Sequence, residues 1–341
     1  MRRPSQRTLQ QRLSEGVVIG AEGYVFELER RGYVKAGPFV PEVILDAPDA
    51  LRQLHREFLR AGSDVMVALT YYAHRDKLKD VGRAGELEPM NRQAVRIANE
   101  IAAEGDALVA GNICNTWSFD HHDPHVSGAV VRAQYEEQLG WAVEEGIDFV
   151  IAETYDHLGE ALIGLDVCKQ LGLPVMVTFA SVQPTQTYDG YDYVEACRIL
   201  ADEGATVVGL NCSRGPETML PLLEEIRSAV DVGVAAQPVP YRTSAATSAF
   251  ESFQGFPIQL EPHQCTRFEM ADFARRARDI GVDYIGICCG GGPHHVRAMA
   301  EALGRDTPAS RYSPALELHP VLGEADHERM GGWRMDEQSI T

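Results

Sequence analysis

Three cysteines stand at the ends of apolar segments that are typical of buried strands. Cys212 ends the segment 207-VVGLNC-212, and Cys288 and Cys289 end the segment 284-YIGICC-289. A catalytic zinc takes three protein ligands and keeps a fourth position open, and thiolates suit zinc better than Mg²⁺ or Ca²⁺, which prefer oxygen. An open position beside sulfur would bind a thiol substrate as a nucleophilic thiolate. The cysteines therefore predict a zinc ion and alkylation of a substrate thiol.

Other residues that could bind a metal are expected to lie outside this site. Cys168 and Cys197 fall in helix-like segments and are expected to pack as small apolar residues. Cys114 ends another apolar segment, where it would either face the site or pack in the core. Of these two alternatives, we favour packing in the core. The segment 120-DHHDPH-125 offers three histidines and two carboxylates. Its spacing does not put these ligands on one helix face, so it predicts a solvated loop or lid rather than a second metal site.

The composition is that of an ordinary globular protein. The chain has 341 residues, of which 45% are hydrophobic and 24% charged. Its net charge of −19 argues against a nucleic-acid partner, because such proteins carry basic patches. No apolar run approaches the roughly 20 residues that span a bilayer, and the N-terminus lacks the apolar region of a secretory signal. We expect a cytoplasmic protein with small-molecule partners and no membrane contact.

Apolar segments alternate with helical patterns along the chain. The apolar segments are continuous, which is typical of parallel strands buried on both faces. Eight evenly spaced strand–helix units favour a closed (β/α)8 barrel, although a doubly wound open sheet would use the same alternation. The predicted strands are 16–20, 65–71, 107–113, 148–154, 174–180, 207–211, 232–238 and 284–289. The predicted helices are 49–61, 90–104, 129–145, 157–171, 192–203, 217–230, 268–280 and 293–304.

This alternation ends with the last predicted helix, so residues 1–304 are expected to form the barrel as one domain. Residues 305–341 are polar and irregular, and we expect them to form a tail that lies on the barrel or on a partner subunit. We therefore expect a homo-oligomer.

A barrel would bring the three cysteines together. Barrel enzymes have their active sites at the C-terminal ends of the strands, and alternate strands contribute to the same interior layer. Cys212 would end strand six, and Cys288 and Cys289 would end strand eight. Neighbouring residues on a regular strand point to opposite faces. Strand eight must therefore be distorted at its end, which Gly286 and the glycines at 290–292 permit.

The residues around these cysteines resemble those of the zinc-dependent homocysteine S-methyltransferase family, and most closely its betaine-dependent members. The resemblance runs from 17-VVIG-20 to 297-RAMAEAL-303 and includes 30-RRGYVKAGPFVPE-42, 208-VGLNC-212 and 282-VDYIGICCG-290. The combination of Asn-Cys with Gly-x-Cys-Cys-Gly is specific. The family implies a (β/α)8 barrel, one Zn²⁺ held by Cys212, Cys288 and Cys289, and methyl transfer to a thiol without an organic cofactor.

The resemblance also implies two substrate regions. Glu153 matches the family glutamate that holds the amino group of the thiol substrate, a role that suits a carboxylate; the alternative is a structural ion pair. Tyr72 matches a tyrosine of the methyl-donor region. Aromatic faces bind quaternary ammonium groups through cation–π attraction, and Phe39, Tyr71, Tyr72 and Tyr155 would build such a cage.

Three positions depart from the family pattern. The family has Asp-Gly-Gly where this chain has 21-AEG-23, and Glu22 would take over from the missing aspartate. A donor-region tryptophan is Phe39 here, and a tyrosine after the strand-four glutamate is Thr154, with Tyr155 next. We expect methyl transfer from a glycine betaine-like donor to homocysteine, giving methionine.

These departures keep three alternatives open. One is a different donor, such as another betaine or a sulfonium like S-methylmethionine or dimethylsulfoniopropionate. Another is a different thiol acceptor, because the aspartate is missing. The third is a non-catalytic zinc-binding barrel.

Overall fold

The computed structural model describes residues 7–315 and Leu318, which contain eight parallel strands arranged as a barrel. Hydrogen-bonded neighbours follow one another in the order β1-β8-β7-β6-β5-β4-β3-β2. The predicted (β/α)8 fold and all eight predicted strands are confirmed. The strands are β1 (Val18–Ile19), β2 (Val65–Val67), β3 (Leu108–Cys114), β4 (Phe149–Tyr155), β5 (Val175–Ala180), β6 (Val207–Asn211), β7 (Gly233–Gln237) and β8 (Tyr284–Ile285).

Between β1 and β2, the barrel is closed by the hydrogen bonds of one aspartate, Asp64, instead of a continuous ladder of hydrogen bonds between two strands. The backbone N–H of Asp64 donates to the carbonyl of Ile19 at 2.7 Å, and the Ile19 N–H donates to Oδ2 of Asp64 at 2.8 Å. Arg305, just after the last helix, forms an ion pair with the same carboxylate at 2.6 Å. Asp64 therefore joins the first strand, the second strand and the end of the barrel domain.

Helices cover the outside of the strands. All eight predicted helices are present, with ends shifted by a few residues. Four further helices of 4 to 7 residues were not predicted, because segments so short show no helical period. The helices are α1 (Leu9–Glu15), α2 (Tyr24–Arg30), α3 (Val43–Asp46), α4 (Pro48–Ala61), α5 (Arg75–Asp80), α6 (Leu87–Ala102), α7 (Pro124–Glu145), α8 (Leu158–Gln170), α9 (Tyr193–Asp202), α10 (Pro216–Ala229), α11 (Arg267–Ile280) and α12 (Pro293–Ala302).

The core lies inside the barrel and between its strands and helices. Every residue of β3, β5 and β6 is buried, which explains the continuous apolarity of these segments. Cys168 on α8 and Cys197 on α9 are fully buried in this core, as predicted. Within the described residues, no helix is both long enough and apolar enough to cross a membrane.

Only the first part of the predicted tail lies within the described residues. Its Ala309 N–H donates to the carbonyl of Arg60 at 3.1 Å, so this part packs against the end of α4. Most of 305–341 lies outside the described residues, and the homo-oligomer stays a prediction.

Gly209 on β6 provides a test of how tightly the barrel is packed beside the site. A Cβ atom at this position would lie 2.0 Å from the backbone oxygen of Ala235 on β7, whereas a Cβ at Gly140 on α7 would have no neighbour within 4 Å. We expect Gly209→Ala to destabilise the fold by at least ~2 kcal/mol through overpacking. Gly140→Ala should stabilise it by ~0.5–1 kcal/mol through helix propensity. Urea unfolding of both variants measures the difference, and equal midpoints would contradict this packing.

Candidate active site

The three predicted cysteines meet at the C-terminal end of the barrel. The Sγ atom of Cys289 lies 3.8 Å from that of Cys212 and 4.0 Å from that of Cys288, and all three sulfurs lie within 4.8 Å of one another. Sulfurs bound at 2.3 Å to one tetrahedral ion lie ~3.8 Å apart. The spacing therefore fits a single metal ion held by three thiolates. Among the described residues, this is the only cluster of its kind.

Two irregular turns bring the cysteines to this point. Cys212 follows β6 with a φ of 59°, and its N–H still bonds to the carbonyl of Gln237 at 3.0 Å. On the other side, β8 ends at Ile285, and Gly291 N–H donates to the carbonyl of Cys288 at 3.0 Å in a tight turn. The expected distortion at the end of strand eight is thus confirmed, and it lets adjacent cysteines face one ion.

The sulfurs line a cavity of about 290 Å³ at the mouth of the barrel. Within the described residues, every non-glycine residue with positive φ lies on its wall, and positive φ is uncommon for such residues. Backbone strain of this kind concentrates at functional sites. The five residues are Phe39, Trp117, Thr154, Cys212 and Ser213.

Glu153 on β4 extends into the bottom of the cavity and is held by two amides. Its Oε1 accepts a hydrogen bond from Nδ2 of Asn112 at 2.7 Å, and its Oε2 accepts one from Nδ2 of Asn211 at 3.1 Å. No cation pairs with this carboxylate among the described residues, so the alternative of a structural ion pair finds no partner there. The oxygens of Glu153 are therefore oriented toward the cavity without being neutralised.

Glu22 lies near Glu153 and lines the same cavity, whereas the preceding Ala21 is buried in the core. The hydroxyl of Tyr284 donates to Oε1 of Glu22 at 3.3 Å, and Oε2 is buried without a partner among the described residues. Burial and then the charge of Glu153 raise the pKa of Glu22 well above its usual value. Burial also raises the pKa of Glu153 to about 7, against the effect of the Asn112 hydrogen bond. A cation between the two carboxylates would relieve both effects.

Aromatic side chains line the outer part of the cavity. Phe39, Tyr71 and Tyr72 all lie on its wall, as expected from the sequence. The rings of Tyr71 and Tyr72 are 4.4 Å apart between centroids, and Phe39 stacks on Phe26 at 5.1 Å. Trp117, which was not predicted, donates from Nε1 to the hydroxyl of Tyr72 at 3.3 Å. These rings offer several faces to a cationic group.

Tyr155 does not belong to this wall, and its expected role in a cage is wrong. Its ring is fully buried between β4 and the helices, edge-on to Tyr135 at 6.4 Å and against Gly164 of α8. The register of β4 shifts between Ala152 and Tyr155, and Thr154 has a φ of 62°. This irregularity reverses the alternation of side chains, so Thr154 lines the cavity and Tyr155 turns away from it.

Two further carboxylates on the cavity wall were not predicted from the sequence. Asp156 accepts a hydrogen bond from Nδ2 of Asn115 at 3.0 Å, and Glu251 accepts one from Oγ of Ser213 at 2.8 Å. Glu251 comes from the long segment between β7 and α11, which carries no pattern that marks it. Asp156 follows the strand-four glutamate by three residues, and its position just beyond a strand end was the available signal.

The remaining candidate ligands lie outside the site. Cys114 is buried, with its thiol donating to the carbonyl of Tyr71 at 2.7 Å, in agreement with the favoured core position. The histidines of 120–125 are exposed, and none of them belongs to a potential metal cluster within the described residues.

Comparison with known proteins agrees with this geometry. In fold, the metallated form of the Escherichia coli homocysteine methyltransferase MmuM superimposes with a TM-score of 0.67 at 18% identity, covering 84% of this chain and 96% of that one. In sequence, the profile of the family described as "Homocysteine S-methyltransferase" matches residues 19–303. The chain belongs to the homocysteine S-methyltransferase family.

Individual relatives carry two different names. Betaine--homocysteine S-methyltransferase 1 of Xenopus laevis is 41% identical over 310 residues, which cover 88% of this chain and 76% of that protein. S-methylmethionine--homocysteine S-methyltransferase BHMT2 of Pongo abelii is 37% identical over 328 residues, which cover 94% of this chain and 87% of that protein. The two names differ in the methyl donor and agree in the acceptor.

Asn211 joins the carboxylate to the strands and provides a test of this network. Its Nδ2 donates to Glu153 and, at 2.7 Å, to Oγ1 of Thr154, while its Oδ1 accepts from Thr154 N–H and Thr178 Oγ1, both at 2.8 Å. Asn211→Ala would leave several buried polar groups unpaired, so we expect a loss of ~2–4 kcal/mol of unfolding free energy. Asn99→Ala, at a partly exposed amide that water can replace, should lose less than ~1 kcal/mol. Urea unfolding compares the two, and equal losses would rule out a special role for this network.

Proposed function

We propose that this protein is a zinc-dependent S-methyltransferase that moves a methyl group from an onium donor to homocysteine and gives methionine. The observation that carries the proposal is the cluster of Cys212, Cys288 and Cys289 at the wall of a cavity that also contains carboxylates and aromatic rings. Membership of the family supports homocysteine as the acceptor. Glycine betaine and S-methylmethionine are the donors suggested by the names of the relatives.

The three cysteines are proposed to hold Zn²⁺ through their sulfurs, with Zn²⁺ supplying an open position at which the substrate thiol ionises. The three sulfurs lie within 4.8 Å of one another and would occupy three positions around the ion, which would leave a fourth for that thiol. The left-handed turn at Cys212 and the tight turn after Cys288 fix these sulfurs before the substrate arrives. Such preorganisation keeps the reacting sulfur in one position.

Glu153 and Glu22 are proposed to bind the ammonium group of the amino-acid thiol. Both carboxylates line the bottom of the cavity, and the amides of Asn112 and Asn211 fix the orientation of Glu153. An ammonium ion between them would favour the ionised form of each carboxylate, which burial alone disfavours. Glu22 would in this way replace the aspartate that Ala21 does not supply.

The aromatic wall is proposed to bind the cationic end of the donor. Phe39, Tyr71 and Tyr72 offer ring faces on which an onium group is attracted while it carries its charge. Displacement at the methyl carbon forms the new carbon–sulfur bond as the bond to the onium atom breaks, and the donor leaves as a neutral amine or thioether. The rings would then lose their electrostatic attraction for it, which favours release.

A metal-binding test separates the three cysteines from the other thiols of the chain. We expect the purified protein to bind one equivalent of Zn²⁺, and Cys212→Ala to lose both that equivalent and the methyltransferase activity. Cys265→Ala, at a buried cysteine outside the cavity, should keep both. Metal analysis after dialysis against a weak chelator measures the stoichiometry. An active Cys212→Ala protein free of zinc would contradict the metal assignment.

Label transfer tests the reaction itself. Zinc-loaded protein is incubated with homocysteine and glycine betaine, or S-methylmethionine, each carrying a trideuteromethyl group, and the product is analysed by mass spectrometry. We expect labelled methionine from at least one donor, and none from Cys289→Ala. If no labelled methionine forms with either donor while each chain holds one zinc ion, homocysteine methylation by these donors is excluded.

A further inference from the structure

The carboxyl groups of the cavity wall have no basic counterpart on that wall, within the part of the chain that the structure describes. Four carboxylates line it, and among the described residues on this wall none is Lys, Arg or His. Two of the carboxylates, Glu22 and Glu153, lie at the strand ends and are assigned above to the ammonium group of the thiol. The other two, Asp156 and Glu251, come from segments beyond the strand ends and line the same cavity as the aromatic rings.

Glu251 is held firmly beside the metal-binding turn. It lies in a 3₁₀ turn at Phe250–Ser252, and the N–H of Phe250 donates to the carbonyl of Ser213 at 2.9 Å. The hydroxyl of Ser213 donates to Oε1 of Glu251 at 2.8 Å, while Oε2 is buried and has no partner among the described residues. Since Ser213 follows Cys212, this carboxyl group is fixed beside the turn that carries Cys212 and keeps one oxygen for a ligand.

Asp156 extends this negative region. Its side chain is 8% exposed and is oriented by Asn115. Burial, and then the charges of Glu160 and Glu251, raise its pKa to about 7, so Asp156 and Glu251 lie within electrostatic range of each other. Two carboxylates in a site of low dielectric attract a cation and oppose a further carboxylate much more strongly than they would in water.

We propose that Glu251, together with Asp156, selects methyl donors of net positive charge over zwitterionic donors, whose net charge is zero. This inference rests on the proposed function, because it assumes that the donor enters this cavity. A zwitterionic betaine would bring its carboxylate into a wall that offers no basic side chain among the described residues. A donor with a neutral group at that position would gain the attraction of both carboxylates without this penalty.

Lys77 provides the competing arrangement. Its Nζ lies 4.9 Å from the centroid of the Tyr72 ring, although Lys77 does not line the cavity. A donor carboxylate that passed the ring of Tyr72 would meet this ammonium group. In that case the charge of Lys77, and not that of Glu251, would control discrimination between cationic and zwitterionic donors.

Two isosteric ligands test the proposal without requiring turnover. Glycine betaine is a zwitterion, and betaine amide, in which the carboxylate is replaced by a carboxamide, is a cation of the same shape. Their dissociation constants are measured by titration calorimetry on the zinc-loaded protein, on Glu251→Gln and on Asp156→Asn. Glu261→Gln, on the same β7–α11 segment but exposed and outside the cavity, is the matched control for loss of one charge.

We expect the unmodified protein to bind the amide at least about tenfold more tightly than betaine. Glu251→Gln should reduce this ratio about tenfold, Asp156→Asn should reduce it in the same direction, and Glu261→Gln should leave it unchanged. The inference would be overturned if the unmodified protein bound both ligands equally, or if the amide failed to bind. It would also be overturned if Lys77→Gln changed the ratio of the two affinities and Glu251→Gln did not. Label transfer from betaine with normal efficiency would then still support the proposed function, so the two failures are distinguishable.

Discussion

The convergence of three thiols from β6 and β8 is the constraint on which the rest of the structure depends. The two strands are separated by β7, so only a barrel that brings alternate strands to one layer allows their ends to share an ion. The tight turn after Cys288 serves this convergence, because it lets two adjacent cysteines face one ion. Strain at the cavity wall is tolerated because the surrounding barrel is fully packed.

The side chains that line the cavity favour a cation as its ligand on electrostatic grounds. Its carboxylates are buried and are oriented by amides, a serine and a tyrosine instead of being neutralised by lysine or arginine. Such a site raises the pKa of its own acids, and the binding of a cation restores their ionised forms. The same electrostatic feature would serve both proposed purposes, because it would attract the ammonium group of the thiol and the onium group of the donor.

Part of the site followed from the sequence and part did not. The cysteines, Glu153, Tyr71 and Tyr72 each stand at or just beyond a strand end, where the position of a side chain follows from the barrel itself. Phe39 lies between α2 and α3, and only the resemblance to the family indicated it. Tyr155 was assigned wrongly because the irregularity of β4 at Thr154 reverses which side chains face inward. Glu251 and Trp117 belong to irregular segments, whose path over the barrel depends on contacts between residues far apart in the chain.

The eight strand–helix units, the three cysteines that are proposed to hold the metal and the reaction class could all be predicted from the amino-acid sequence. These are encoded locally, by hydrophobic period, by residue type and by short motifs. Tertiary structure decided which carboxylates share one cavity, where Tyr155 points and that no basic side chain stands among the described residues of the wall. The reason is physical: cavity charge and side-chain direction arise from loops packed against distant strands, and a single irregular residue changes them while the local pattern stays the same.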